Sequence, residues 1–139
     1  AFEPLKWQIT LGKIASKIYP ALSQENGLDA NLLSRDKAVC AAYLADPLVH
    51  SKITAKMFTE MIAAGEFILA QKSAPECPVL LFHGEADKIT SAKASKEWAS
   101  KHPNSIEFVS LADTYHEPHN DLDKMRVIDM VIQWVKKMI

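Results

Sequence analysis

Glycine is scarce in this chain of 139 residues: Gly12, Gly27, Gly65 and Gly84 are the four, and no two lie closer than 15 positions. A Walker phosphate loop, a dinucleotide-binding G-x-G-x-x-G turn and a G-x-S-x-G nucleophile elbow each need two glycines within about five residues. All three are therefore excluded. Cysteine is scarcer still, and Cys40 with Cys77 make neither a disulfide framework nor a zinc quartet. Reduced, cytoplasmic thiols are the expectation. Charge of one sign is also missing. A formal net charge of −1 leaves no broad basic surface for nucleic acid. Long apolar runs are absent, Val79-Leu80-Leu81-Phe82 being typical, so no transmembrane helix is expected. The chain opens at Ala1-Phe2-Glu3, with neither an initiator Met nor a signal-peptide pattern.

What is there has the balance of a soluble globular domain: 48% apolar and 24% charged residues, at a length fit for one domain. The first half reads helical. Trp7, Leu11, Ile14, Ala15 and Ile18 recur at helical spacing over 5–19, opposite Lys6, Lys13 and Lys17, and Pro20 stops the run. Ser23-Gln24-Glu25-Asn26-Gly27 reads as a polar turn. Ser34 is expected to cap a short helix with Val39, Ala42 and Tyr43 inward, ended by Pro47. Ser51 is expected to cap a third, running to about Gln71, with Ile53, Met57, Phe58, Met61, Ile62, Ile68 and Leu69 as its apolar stripe.

The period then changes. Pro75 and Pro78 fence off Val79–Phe82, a run without alternation, as a strand buried on both faces requires. Ser91 should cap a helix through Trp98, ended by Pro103, and 106–111 reads as a second short strand. A last helix over about 122–138 places Met125, Ile128, Val131, Ile132, Val135 and Met138 on one apolar side. Two strands joined by a helix pair in parallel, yet a two-stranded parallel sheet leaves both edges open and belongs inside larger layered folds. These two strands are thus expected to be the last of a sheet whose other strands lie elsewhere.

Two stretches could carry chemistry: His83-Gly84-Glu85-Ala86-Asp87 after the first strand, and 115–121 (Tyr-His-Glu-Pro-His-Asn-Asp) after the second. Ligands sit at the carboxyl ends of strands in open parallel sheets, so Asp87 and His116 can meet there. A carboxylate that orients an imidazole, which then serves as base and acid, is two-thirds of an acyl-transfer triad. Glu85 competes with Asp87 and His119 with His116. The His116/His119 spacing lacks the helical step of H-E-x-x-H, and Pro118 breaks a helix there, which argues against metal. His119 and Asn120 are expected to brace the loop, and His83 and His50 to play structural roles. The Met57–Leu69 stripe is either ordinary core or a channel for an acyl chain, with Met57, Phe58, Met61 and Ile89 as candidate substrate contacts. The first helix is either a solvated helix or a surface resting on anionic lipid.

Pro78 through Thr90, 115–121, Leu33-Ser34-Arg35-Asp36 and 43–50 (Tyr-Leu-Ala-Asp-Pro-Leu-Val-His) carry a resemblance. Almost end to end, the chain resembles the carboxyl-terminal half of monoacylglycerol lipases and related bacterial lysophospholipases, within the α/β-hydrolase fold. Asp113 stands where that family often has a glycine, and Asp tolerates a left-handed turn. The resemblance implies an α/β architecture: a helical cap over 1–73, then 74–139 as the last two parallel strands and their helices. It implies a serine hydrolase cleaving monoacylglycerol- or lysophospholipid-type lipid esters, with Asp87 as acid, His116 as base, and no metal or cofactor. The serine and the oxyanion donors would lie in an amino-terminal half preceding Ala1, the expected partner, so these 139 residues alone are expected to be inactive. A cytoplasmic location with peripheral membrane contact through the cap completes the expectation. Two other readings stay open: a non-catalytic binding remnant, and an α/β-hydrolase of other chemistry, such as a dehalogenase or C–C hydrolase.

Overall fold

A computed structural model describes residues 4–139. By their contacts they form two compact units, one of residues 29–46 with 72–139, the other of 4–28 with 47–71. This division differs from a single boundary at residue 73, because 33–35 is hydrogen-bonded to the 117–123 segment near the carboxyl end.

The second unit is a helix pair with a small antiparallel ladder. Helix α1 (Lys6–Ile18) packs against α3 (Ala55–Ala70). Strands β1 (Ser23–Glu25) and β2 (Lys52–Thr54) pair from Ser23↔Thr54 to Glu25↔Lys52. Neither strand is visible in the sequence. The expected polar turn is half strand, with the turn itself reduced to Asn26 and Gly27, whose φ of 69° a side chain would resist. Because 52–54 is extended, the cap of α3 moves from Ser51 to Thr54, whose hydroxyl accepts the Met57 N–H at 3.1 Å. The packed face of α1 is not its most apolar one. A side chain at Gly12 would touch the Phe58 ring at 3.2 Å, so the small residues of α1 face α3, while Trp7, Leu11, Ile14 and Ile18 are exposed. On α3, Ala55 is buried and Phe58, Ile62 and Leu69 are half-buried, but Met57, Met61 and Ile68 are exposed.

The first unit carries the parallel strands. Strands β3 (Val79–Gly84) and β4 (Ile106–Leu111) pair in parallel from Val79↔Ile106 to Gly84↔Leu111. Helix α4 (Ala92–Lys101) joins them, capped as expected by Ser91, which accepts the Ala94 N–H at 3.1 Å. Helix α2 (Lys37–Ala45) is capped by Asp36 rather than Ser34. The Ser34 hydroxyl is fully buried and already committed, donating to the Asn120 carbonyl and accepting the Asp36 N–H. The residue of α2 that reaches the core is Cys40; Val39 and Tyr43 are half-buried and Ala42 is exposed. Helix α5 (Lys124–Lys136) buries Val127 and half-buries Met130, Val131 and Trp134. Of the residues expected inward, Met125, Ile128, Ile132, Val135 and Met138 are exposed. Their side of the helix has no cover among the described residues, and β3 buries only Gly84.

Candidate active site

Asp87 sits in the turn that leaves β3. Its Oδ1 accepts the N–H groups of Ile89 (2.7 Å) and Thr90 (3.0 Å), an Asx-type turn that fixes the carboxylate plane. Its Oδ2 accepts the Thr90 hydroxyl at 2.7 Å and imidazole N–H groups from His83 Nε2 at 3.0 Å and His116 Nδ1 at 2.9 Å. The side chain is 2% exposed. Burial pushes its pKa up, but hydrogen bonds from His116, from the Thr90 hydroxyl and from the N–H groups of Thr90 and Ile89 outweigh it, lowering the pKa to about 2. The carboxylate is charged at neutral pH.

His116 lies in the loop after β4, and two devices bring it to Asp87. Gly84 ends β3 directly beneath that loop: a Cβ there would collide with the carbonyl oxygens of Thr114 and Tyr115. Asp113 turns the chain in left-handed backbone, φ 56°. The loop is then clamped by Asp121, fully buried, which accepts N–H groups from Tyr115 (3.0 Å), Leu122 (2.7 Å) and Arg35 (3.2 Å), together with Arg35 Nε (2.9 Å). Burial raises the Asp121 pKa, but the Tyr115 and Leu122 N–H groups and Arg35 carry it below the ordinary value. Arg35 Nη2 also reaches Asp123 at 2.7 Å. The brace expected of His119 and Asn120 therefore falls mainly to Asp121. His119 is exposed, and Asn120 contributes its carbonyl to Ser34 and its amide to Glu117.

With Asp87 ionised, the His116 ring carries its proton on Nδ1 and leaves a lone pair on Nε2, the arrangement of a general base. The ring is 31% exposed. The hydroxyls of the cluster are engaged elsewhere, Thr90 with Asp87 and Ser95 with His83 at 2.8 Å. Glu85, the rival acid, is exposed and accepts the Ser110 hydroxyl at 2.7 Å. Beside Asp87 opens a depression of about 520 Å³ lined by Arg35, Glu85, Lys88, Asp113 and Tyr115 among others. Ile89 is half-buried next to Asp87, whereas Met57, Phe58 and Met61 belong to the helix-pair unit. His83 was the residue that sequence reasoning undervalued. An imidazole four residues before Asp87, at the last paired positions of a strand, is the signal that could have found it.

Similarity to other proteins follows the same outline. The profile of the family described as "Serine aminopeptidase, S33" matches residues 2–123. A monoacylglycerol lipase of Mycolicibacterium smegmatis is 30% identical over 129 residues, 91% of this chain and 46% of that protein. An abhydrolase domain-containing protein of Dictyostelium discoideum is 30% identical over 134 residues, 95% of this chain and 14% of that protein. The crystal structure of the Paleococcus ferrophilus monoacylglycerol lipase superposes with a TM-score of 0.89 at 28% identity, covering 94% of this chain and 52% of that one. The chain thus spans about half the length, or less, of the relatives it matches.

Proposed function

The chain belongs to the serine aminopeptidase S33 family and has part of the α/β-hydrolase fold, and from that premise we propose that it is the acid- and histidine-bearing portion of a serine hydrolase acting on monoacylglycerol- or lysophospholipid-type esters. The observation that carries this reading is the 2.9 Å bond between Asp87 Oδ2 and His116 Nδ1 at the carboxyl ends of two adjacent parallel strands. In the proposed reaction, His116 Nε2 takes the proton of a serine hydroxyl as its oxygen attacks the ester carbonyl. The imidazolium, held by Asp87, then protonates the departing glycerol oxygen, leaving an acyl-enzyme. Water hydrolyses that ester by the same proton path.

The serine is supplied by an amino-terminal portion that completes the sheet. The uncovered apolar side of α5, the thin burial of β3 and the half-length coverage of the named lipases support this. On this reading the 139 residues alone are inactive. Acyl-chain contact is assigned to Met57, Phe58, Met61 and Ile89 for their pliable apolar side chains, and alanine replacements there should raise KM with kcat little changed. Exposed Trp7, Leu11, Ile14 and Ile18 on a helix that also carries Lys6, Lys13 and Lys17 support peripheral contact with an anionic lipid surface. Among the described residues no helix is long and apolar enough to cross a membrane. Cys40 and Cys77 are both free thiols, which supports a cytoplasmic location.

A serine-reactive fluorophosphonate probe tests the reading. The 139 residues alone should not be labelled. Co-expression with an amino-terminal portion should give labelling, lost on His116→Ala. Labelling of the isolated chain would overturn it, since none of its serines stands on a nucleophile elbow.

A further inference from the structure

The geometry points to His83 as a positioning residue that ties the acid of the Asp–His pair to the β-sheet; this deepens, and rests on, the hydrolase reading above. Asp87 has five donors, and they differ in what holds them. Ile89 N–H, Thr90 N–H and the Thr90 hydroxyl belong to the same turn as Asp87 and move with it. His116 is the group to be positioned. Among the described residues, His83 alone connects the carboxylate to paired backbone, lying opposite Ser110 in the β3/β4 register.

The imidazole is itself fixed. Its Nε2 must donate to reach Asp87 Oδ2 at 3.0 Å, so in the neutral ring Nδ1 accepts, and the Ser95 hydroxyl of α4 donates to it at 2.8 Å. Asp87, which can only accept, thus sets the tautomer of His83 as it does that of His116, and Ser95, bonded to the other ring nitrogen, fixes the orientation of the His83 ring. The side chain of His83 is 12% exposed, which limits competition from water. The groups facing His83 are Asp87 and Thr90 from the turn, Ser95 from α4 and, across the shared oxygen, His116 from the loop after β4. A relay Ser95–His83–Asp87–His116 therefore runs from a helix and a strand to the base. In metal sites, where a second group orients a ligating histidine, support of this kind is worth roughly tenfold to a hundredfold in activity, and that is the scale taken for the Asp87 carboxylate.

The test uses the complete hydrolase, the chain together with its nucleophile-bearing portion, and a short-chain p-nitrophenyl ester. His83→Phe should lower kcat by about tenfold or more with little change in KM, and His83→Gln, which keeps an N–H donor, should recover most of that loss. The acid limb of the pH profile should move to lower pH in His83→Phe, because a carboxylate that drifts from His116 no longer favours the imidazolium, and should return in His83→Gln. A limb that stays in place, or moves to higher pH, would mean that His83 does not hold the acid in position. If His83→Phe fails to fold, Ser95→Ala carries the test: it keeps the ring but removes the bond that fixes its orientation, and should lower kcat by about threefold, the scale of one lost hydrogen bond. Unchanged kcat in Ser95→Ala would then overturn the relay. His116→Ala separates the two readings. Turnover that survives it sinks the hydrolase reading and this one together, whereas turnover lost with His116→Ala but intact in His83→Phe sinks only this one.

Discussion

A buried carboxylate with five donors is held as an anion, and that makes Asp87 a source of pH-dependent stability. Its folded pKa, about 2, lies below the ordinary 3.8. A depressed carboxylate contributes stability that is fully present above its unfolded pKa and is lost as pH falls through the folded one. The window is therefore about pH 4 down to 2, and the contribution is about 2 kcal/mol. Urea unfolding of the chain together with its amino-terminal portion should show Asp87→Asn destabilised against the wild type at pH 5, with the gap closing towards pH 2. A pH-independent gap would refute the linkage. Gly84 offers a second check at this scale. A methyl group there meets two backbone carbonyls, neither of which can swing aside as a side chain would, so Gly84→Ala should cost about 3 kcal/mol, measured by the same melts. At the level of residues the sequence was informative where a strand end and a loop had to meet. Asp87 and His116 could be paired by topology, and Asp113 as a left-handed residue through the resemblance, because it stands where that family often has a glycine. His83 and Thr90 were not legible as partners of the acid, because their role depends on the turn geometry that folds them back onto one oxygen.

Among elements, the histidine loop and the 34–36 segment are joined by one buried carboxylate. Removing Asp121 strands three backbone N–H groups and the Arg35 guanidinium, which is 23% exposed and left with Asp123 alone. Asp121→Ala should therefore destabilise by about 3–5 kcal/mol, read in urea melts of the chain together with its amino-terminal portion. Asp121→Asn, whose amide still accepts at one oxygen, should cost less. The pattern of elements was legible where hydrophobicity decides. The run at 79–82 and the segment 106–111 became β3 and β4, and Ser91 capped α4. It was opaque where pairing decides. Ser23–Glu25 is three exposed residues with no alternation to detect, and it is a strand only because Lys52–Thr54 lies alongside. The packed faces of α1 and α5 depart from hydrophobic periodicity for one reason. Periodicity finds the most apolar side of a helix, but Gly12 allows α1 its close contact with α3 on a smaller-residue side, and α5 has apolar residues on two sides.

For the whole molecule, the largest fully buried side chains are Asp121 and Ser34, both polar, while twenty large apolar residues are exposed among those described. A hydrophobic core normally supplies most of the favourable free energy of folding, so this distribution predicts a chain that unfolds without a sharp transition, or self-associates, in isolation. A monomeric species with a steep urea transition would contradict that. If an amino-terminal portion completes the sheet, the exposed side of α5 is where burial should be regained. Met125, Ile128, Ile132 and Val135 recur there at three- and four-residue steps, and covering the part of each that is still exposed is worth about 1 kcal/mol. A charge placed among them must be desolvated without a partner. Ile132→Glu should thus leave the isolated chain no less soluble than before, since the position is already exposed, yet weaken complementation by more than tenfold in the probe titration. Val127→Ala makes the opposite case. It opens a cavity on the side that the chain covers by itself, so it should destabilise the isolated chain and reduce complementation only in proportion. If the two substitutions proved indistinguishable, or if Ile132→Glu complemented normally, the partner would have to dock on another surface.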